Sequence, residues 1–563
     1  MSNAALRADY AQAVEQLAGR VLGVLRDTQA PLPAVSGADG PVDTAALAAV
    51  RVLGPDLFAP ALFGRQPLPQ PDRETLGSAL RVFPPRPGDS AEARWRDHTT
   101  AALLARGTDA VPAVPYPPDD PEWATAAEVA DVAGSTEDAE DAEDAELSWQ
   151  ERSRRMARLA PLALPEVDGP VQQRACRHVR ALSRGTTRSL LRRDYPTAAR
   201  LVRWLALAES RGAAPALDVP SVLDHLRLGR GRRPYRARPR HRPKAPDRCG
   251  RDTVMTADKT AREPAEPVRA TALRMGTRAL GWLHRNREQT AFAEGTTAEL
   301  AEPDSAYKPL SELVLAASLV LRDESFPAAD RRTARDLLDF AWDQLRGGDL
   351  LYERQLRFPA MTDPLETYVH FHRAGHRHER LELLAHLTTL TSYREYDHVP
   401  NRRMAVANAT RVIGVVDRTD WSARTAATWL GATPEPWTMD WMTAYHMTHT
   451  VFHLTDWGAR PHALPPRLRD YLATWLPVWT DVWLEIEEWD LVAELLVVDA
   501  CMPEPAREPA DWRRLAAAQH EDGLLPRDGR TGTGDPDRRF DDHYHSAVVA
   551  TIAATLVLSR IGA

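Results

Sequence analysis

The chain is poor in cysteine, with three residues, Cys176, Cys249 and Cys501, in 563. So few and so widely separated, they exclude a disulfide framework and fit a reducing compartment. Long apolar runs are missing too. The longest, Ala547–Leu558, contains two threonines and is shorter than the roughly 20 residues that cross a bilayer. The N-terminus, Met1 to Tyr10, lacks the charged and apolar regions of a signal peptide. These absences predict a cytoplasmic protein with no membrane span. An excess of basic residues is also absent: the net charge is −8, which argues against nucleic acid as a partner. The hydrophobic fraction of 43% is nevertheless ample for a large core.

Two biased segments divide what is present. Glu137–Glu146 carries seven acids in ten residues and reads as a solvated loop. Arg227–Arg251 carries eleven Lys and Arg with four interspersed prolines, the composition of an extended linker. The chain therefore divides into a mostly helical N-terminal domain (1–225), a basic Pro/Arg-rich linker (226–261) and a C-terminal domain (262–563). In the first, Val14, Leu17, Val21 and Leu25 form one apolar helical stripe. Pro196 breaks Val171–Leu207 into two helices. No catalytic constellation is visible there. The C-terminal domain shows about twelve helical patterns, near one per 25 residues, which suits either a solenoid or a closed ring of helical hairpins.

The last hairpin decides between these two. Gln519-His-Glu-Asp522-Gly523-Leu-Leu525 ends one helix, and Phe540-Asp-Asp-His-Tyr544-His545-Ser opens the next. The first resembles the glutamine–tryptophan repeat of the terpenoid cyclase and protein prenyltransferase toroids. The second resembles the terminal hairpin of a protein prenyltransferase β subunit. A degenerate copy lies at Trp342-Asp-Gln344-Leu-Arg-Gly347-Gly348-Asp-Leu350-Leu351. More broadly, this domain is similar to actinobacterial proteins of no assigned function. The resemblance implies an all-α fold in which residues 262–563 form an (α/α)6 toroid. It also implies zinc: Asp499, Cys501 and His545 match, in order and type, the prenyltransferase ligand set. One carboxylate, one thiolate and one imidazole would leave an open fourth position. The competing reading is a buried cysteine and a capping aspartate. Terpene cyclase Asp-x-Asp-Asp acids are absent, and the domain has too few cysteines for a lanthionine cyclase site.

Two further constellations could carry chemistry. Tyr445-His446-Met-Thr-His449-Thr-Val-Phe-His453-Leu-Thr-Asp456 places His446, His449 and His453 on one helix face, with Asp456 positioned to orient His453. Imidazole titrates near neutrality, which suits general acid–base work. The alternative is a helix lining a polar cavity. Asp490 and Glu494, one turn apart, interrupt an otherwise apolar helix, a setting that raises carboxyl pKa values. Glu485, Glu487 and Glu488 beside them read as a solvated stripe. His370, His372, His376 and His378 read as an exposed turn, and Asn401 as an N-cap.

These residues predict an enzyme acting on a small or medium organic substrate. His449, His453, Asp456, Asp490, Glu494 and His545 would supply the chemistry, and Trp441, Tyr445, His446, Trp483 and Tyr544 the substrate contacts. Cyclisation or group transfer in secondary metabolism follows by analogy with the terpenoid toroids. A carbohydrate-active hydrolase or lyase with paired carboxylates is the second reading. A noncatalytic scaffold holding a peptide or carrier-protein partner is the third. Nine of the 16 tryptophans fall between Trp421 and Trp489, beside these candidates. Trp475, Trp479 and Trp483 share a helix face, suited either to stacking on a ligand or to a large core.

Overall fold

The computed structural model describes residues 3–26, 44–64, 67–86, 88–106, 114, 117, 147–230, 265–298, 307–359, 361–389, 399–415 and 419–562. The acidic segment 137–146, the linker from 231 to 261, Cys249 and the stretch 393–398 lie outside these. The described residues are helical, without a strand among them. Two compact units emerge, 1–260 and 261–563.

In the first unit, the apolar stripe read from Val14 onward forms one side of the helix Asn3–Arg26, with Leu17 and Val21 buried and Leu25 exposed. They pack on Val50, Leu57, Leu76 and Leu80. Arg51 spans the edge of this core to Asp97 (2.7 Å) and Asp89 (2.8 Å). The break at Pro196 is a helix start: Asp194 accepts the Thr197 amide (3.2 Å) at the head of Tyr195–Ser210. Its buried Trp204 donates to the Met156 carbonyl at 2.8 Å.

The second unit contains α1 (Ala265–Arg285), α2 (Tyr307–Asp323), α3 (Ala328–Gln344), α4 (Asp349–Arg357), α5 (Asp363–Arg373), α6 (Glu379–Thr389), α7 (Pro400–Ile413), α8 (Trp421–Ala426), α9 (Trp441–Thr455), α10 (Pro466–Glu485), α11 (Trp489–Cys501), α12 (Pro509–Ala518) and α13 (Pro536–Gly562). Periodicity anticipates all of these but α4, a short helix split from α3 by Gly347 (φ 66°) and Gly348 (φ 94°). A Cβ at Gly348 would sit 2.8 Å from the Trp342 ring, so close packing adds to the left-handed backbone in requiring glycine.

Six helices contact one another in a closed cycle: α2 on α5, α5 on α7, α7 on α9, α9 on α11, α11 on α13, and α13 back on α2. The remaining helices fall between them along the chain, one at each step except for the pair α3 and α4. Thus α1 packs on α13, α3 on α2 and α10 on α11. The Gln519–Gly523 turn joins the end of this unit to its beginning. Gln519 donates to the carbonyls of Met275 and Gly523, both at 3.0 Å, and Arg278 donates to the His520 carbonyl at 2.9 Å. Gly523 (φ 98°) lies so near α1 that a Cβ would be 2.1 Å from the Arg278 oxygen. The degenerate copy repeats the device, since Gln344 Oε1 accepts the Phe292 amide at 2.9 Å.

Trp475 and Trp479 are buried in the core, and Trp479 donates to the Pro436 carbonyl at 3.0 Å. That face of α10 is packing rather than a ligand-stacking surface. Two stretches, Thr44–Gly64 and Arg538–Ile561, are long and apolar enough to cross a membrane by composition. In the second, 78% of the apolar window is buried inside the unit.

Candidate active site

His545 on α13 lies among three carboxylates. Its Nδ1 donates to Glu312 Oε2 on α2 (2.8 Å), and its Nε2 faces Glu494 Oε1 (3.4 Å) and Asp490 Oδ1 (3.7 Å) on α11. Thr448 on α9 donates to the second Glu494 oxygen at 2.6 Å. These residues lie in the N-terminal halves or at the midpoints of neighbouring helices of the cycle. Of the three carboxylates, only Asp490 lies in the first turn of its helix, where the positive end of the helix dipole favours a carboxylate.

Charge follows from this geometry. Burial by itself would lower the His545 imidazole. The charges of Glu312 and Asp490, with the hydrogen bonds to Glu312 and Glu494, outweigh it and hold the ring well above the ordinary histidine range. Glu494 is pushed up by burial but brought below its usual value by His545, His449 and Thr448. Asp490 keeps the effect of burial: its carboxyl rises to about 6, the His545 charge offsetting only part of the cost. Its Oδ1 is buried and accepts no hydrogen bond. An ionised Glu494, a cationic His545 and an Asp490 titrating near neutrality therefore share one cluster. A proton donor or acceptor works best when its pKa lies near the operating pH.

The histidine helix contributes unevenly. His449 donates through Nδ1 to the Tyr445 carbonyl (3.0 Å) and packs against the Tyr445 ring, with centroids 3.8 Å apart and the planes tilted by 35°. Burial lowers its pKa, outweighing the Glu494 charge and the hydrogen bond to Tyr445. Burial drives the Tyr445 phenol up to about 12, with Glu366, Glu494 and Glu312 adding to the shift, so it stays a donor. Trp441, one turn before Tyr445, is 64% exposed. His446 Nδ1 faces Asn401 Oδ1 at 3.3 Å. Asn401 is thereby inside α7 rather than capping it.

Several expected roles are reassigned. His453 is half-buried, and desolvation and the neighbouring His449 bring it down to about 3, so it is a neutral group, not an acid. Asp456 does not orient it. Its carboxylate is held by Arg373 and by Asn408 (2.9 Å), while Arg322 donates to the carbonyls of Asp456 and Trp457. This lock secures the C-terminal end of α9. Asp499 accepts the Ala506 and Arg507 amides (2.9 and 3.0 Å), and Cys501 is buried, its thiol pushed up to about 12 by burial. No group of three or more His, Cys, Asp or Glu side chains able to hold a metal ion occurs among the described residues. Asp499, Cys501 and His545 are therefore not the zinc site their order suggested: a capped turn and a buried thiol occupy two of its positions. Trp483 is half-buried on α10, a helix outside the cycle. Tyr544 continues a ring stack from Trp282 through Phe540 (centroids 5.8 and 5.3 Å) and flanks His545. The expected exposed turn of histidines is instead a set of separate pairs, His372 with Glu382, His376 with Asp339 and His378 with Asp349, around a buried His370.

Sequence reasoning missed Glu312 and Thr448. Glu312 carries the same signal as Asp490 and Glu494, a lone acid in an apolar helix (Leu310-Ser-Glu312-Leu-Val-Leu). Thr448 offers none, because a threonine in a helix usually bonds its own backbone.

Residues 276–555 match the family model described as a domain of unknown function (DUF6895). The matched span runs from within α1 to within α13 and so takes in every carboxylate and the imidazole of the site. No curated protein and no solved structure matches the chain.

Proposed function

We propose that the C-terminal unit is an α/α toroid of helical hairpins with an acid–base active site at the mouth of its ring. It would act on a small or medium organic substrate by cyclisation or group transfer. The observation that carries this reading is Asp490, whose buried, hydrogen-bond-free oxygen lies 3.7 Å from His545 with a carboxyl pKa raised to about 6. A structural aspartate would instead be saturated with donors, as Asp499 and Asp528 are. In this reading Asp490 gives or takes the proton. His545 stabilises negative charge as it develops, and Glu312 and Glu494 hold the imidazolium in place. Tyr445 and Trp441 form the aromatic side of the mouth. The closed helix cycle and its Gln519–Gly523 seam support the toroid, and the cysteine and charge patterns fit a cytoplasmic setting.

The test is a thermal-shift screen of the full-length protein against prenyl diphosphates and other small organic substrates, oligosaccharides, and peptides, followed by product analysis by mass spectrometry. The expected result is a small organic molecule that raises the melting temperature and is consumed by the wild type but only bound by D490N. Turnover of an oligosaccharide would overturn the reading in favour of a glycosidase or lyase. Binding of peptides alone, without turnover, would overturn it in favour of a scaffold.

A further inference from the structure

Around His545 there is more negative charge than the side chains of the site balance. Glu312, Asp490 and Glu494 surround this one imidazolium. Two guanidiniums act at the edge without changing that: Arg527 is paired with Asp528 at 3.4 Å, and Arg402 acts on Tyr445 against Glu366. Acceptors are in excess as well. Neither oxygen of Asp490 takes a hydrogen bond from a described residue, and Glu312 engages His545 through Oε2 alone. Asp456, Asp499 and Asp528, by contrast, accept from an amide side chain or from backbone amides. The cluster opens to solvent on one side, where the His545 side chain is about one-third exposed. Tyr445, whose phenol feels Glu494 and Glu312, stands beside it with one ring face against His449. Trp441, one turn away on α9, is 64% exposed and meets no other ring among the described residues.

We propose that this site binds an organic cation, an ammonium head on an apolar body; the inference rests on the acid–base reading of the site. An ammonium carries three donors and no acceptor, the complement of open carboxylate oxygens. Its charge would offset the unbalanced carboxylates, with N–H groups directed at Asp490 and Glu312. Thr448, which holds Glu494, and Trp441 are seven residues apart on α9, or about 10 Å. An apolar body of that length would run along Tyr445 and end on the open Trp441 face, and aromatic faces also attract cations. A diphosphate or carboxylate head would meet like charge, and an alcohol would leave the excess unbalanced.

Titration calorimetry of the full-length protein at pH 8 tests this with three probes that share one body and differ in the head: phenylbutylamine, phenylbutanol and phenylbutyrate. The amine is expected to bind at least about tenfold more tightly than the alcohol, and the carboxylate more weakly than either. Raising the ionic strength from about 0.05 M to about 0.5 M should weaken the amine and leave the alcohol unchanged. D490N, which keeps the shape of the side chain, should reduce the amine to about the affinity of the alcohol. W441L should weaken the amine by about threefold. E379Q, at an exposed acid on α6, should bind as the wild type does. Equal affinities for amine and alcohol, tighter binding of the carboxylate, or an undiminished amine affinity in D490N would overturn the assignment. Turnover of a neutral or anionic compound with no amine bound would overturn it alone and leave the acid–base reading standing. Amine binding as described, with no amine consumed, would uphold the cation site and count against the acid–base reading.

Discussion

Replacing Asp490 by asparagine should make the protein more stable and leave it inactive. The Asp490 carboxyl rises from 3.8 to about 6 on folding because burial penalises its ionised form. A rise of roughly two units, at 1.36 kcal/mol each, makes the ionised group cost about 3 kcal/mol. Its side chain is one-fifth exposed, and solvent screening trims this to about 2 kcal/mol. The sign follows from linkage: with the folded value above the unfolded one, the protonated carboxyl favours the fold at low pH. That stability is lost as pH rises from about 4 through about 6. Asparagine keeps the shape and does not titrate. The His545 charge persists across this window, since its pKa lies well above the ordinary histidine value. D490N should therefore match the wild type near pH 4 and exceed it above pH 6.5. The excess is about 2 kcal/mol, or roughly 4 °C for a unit of this size. Calorimetry across pH 4–8 measures it. A variant that melts below the wild type at pH 7.5 would show Asp490 to be a net-stabilising partner of His545, and the catalytic argument would fail.

Three further outcomes are expected. H545Q removes the cation that Glu312 and Glu494 share; because the His545 side chain is about one-third exposed, solvent screening trims the cost of breaking a buried pair, and a loss of about 1–2 kcal/mol is expected at pH 7. Adding E312Q should recover part of that loss, and a double-mutant cycle by denaturant unfolding measures the coupling. G523A places a Cβ 2.1 Å from the Arg278 oxygen on a backbone with φ 98°; a loss of about 3 kcal/mol or more is expected by chemical denaturation. Cys501, with its thiol pushed up to about 12, should resist iodoacetamide at pH 8 until the protein is unfolded, as read by peptide mass spectrometry.

Much of this protein is legible from its residues one segment at a time. Apolar spacing marks the helices because a helix repeats every 3.6 residues regardless of what it packs against. It missed α4 because two glycines in succession read as a loop, whereas they are a sharp corner against Trp342. The Gln519–Gly523 turn is legible for a related reason: a left-handed glycine is a local backbone demand. Lone acids in apolar helices gave Asp490 and Glu494, and their burial is a local consequence of the pattern.

What sequence spacing does not carry is which side chains meet between helices. His453 and Asp456 are near neighbours in sequence, yet the helix end turns Asp456 toward Arg373 and Asn408. Asp499, Cys501 and His545 have the order of a ligand set, but Asp499 is spent on two backbone amides. Glu312 and His545 are 233 positions apart and 2.8 Å from one another. By itself the sequence determined the helices, the cuts between them and the presence of buried acids, because these depend on periodicity and on backbone chemistry within a few residues. Only the tertiary structure decided that Glu312, Asp490, Glu494 and His545 form one electrostatic unit. Its charge state follows from distances between different helices, which folding alone sets.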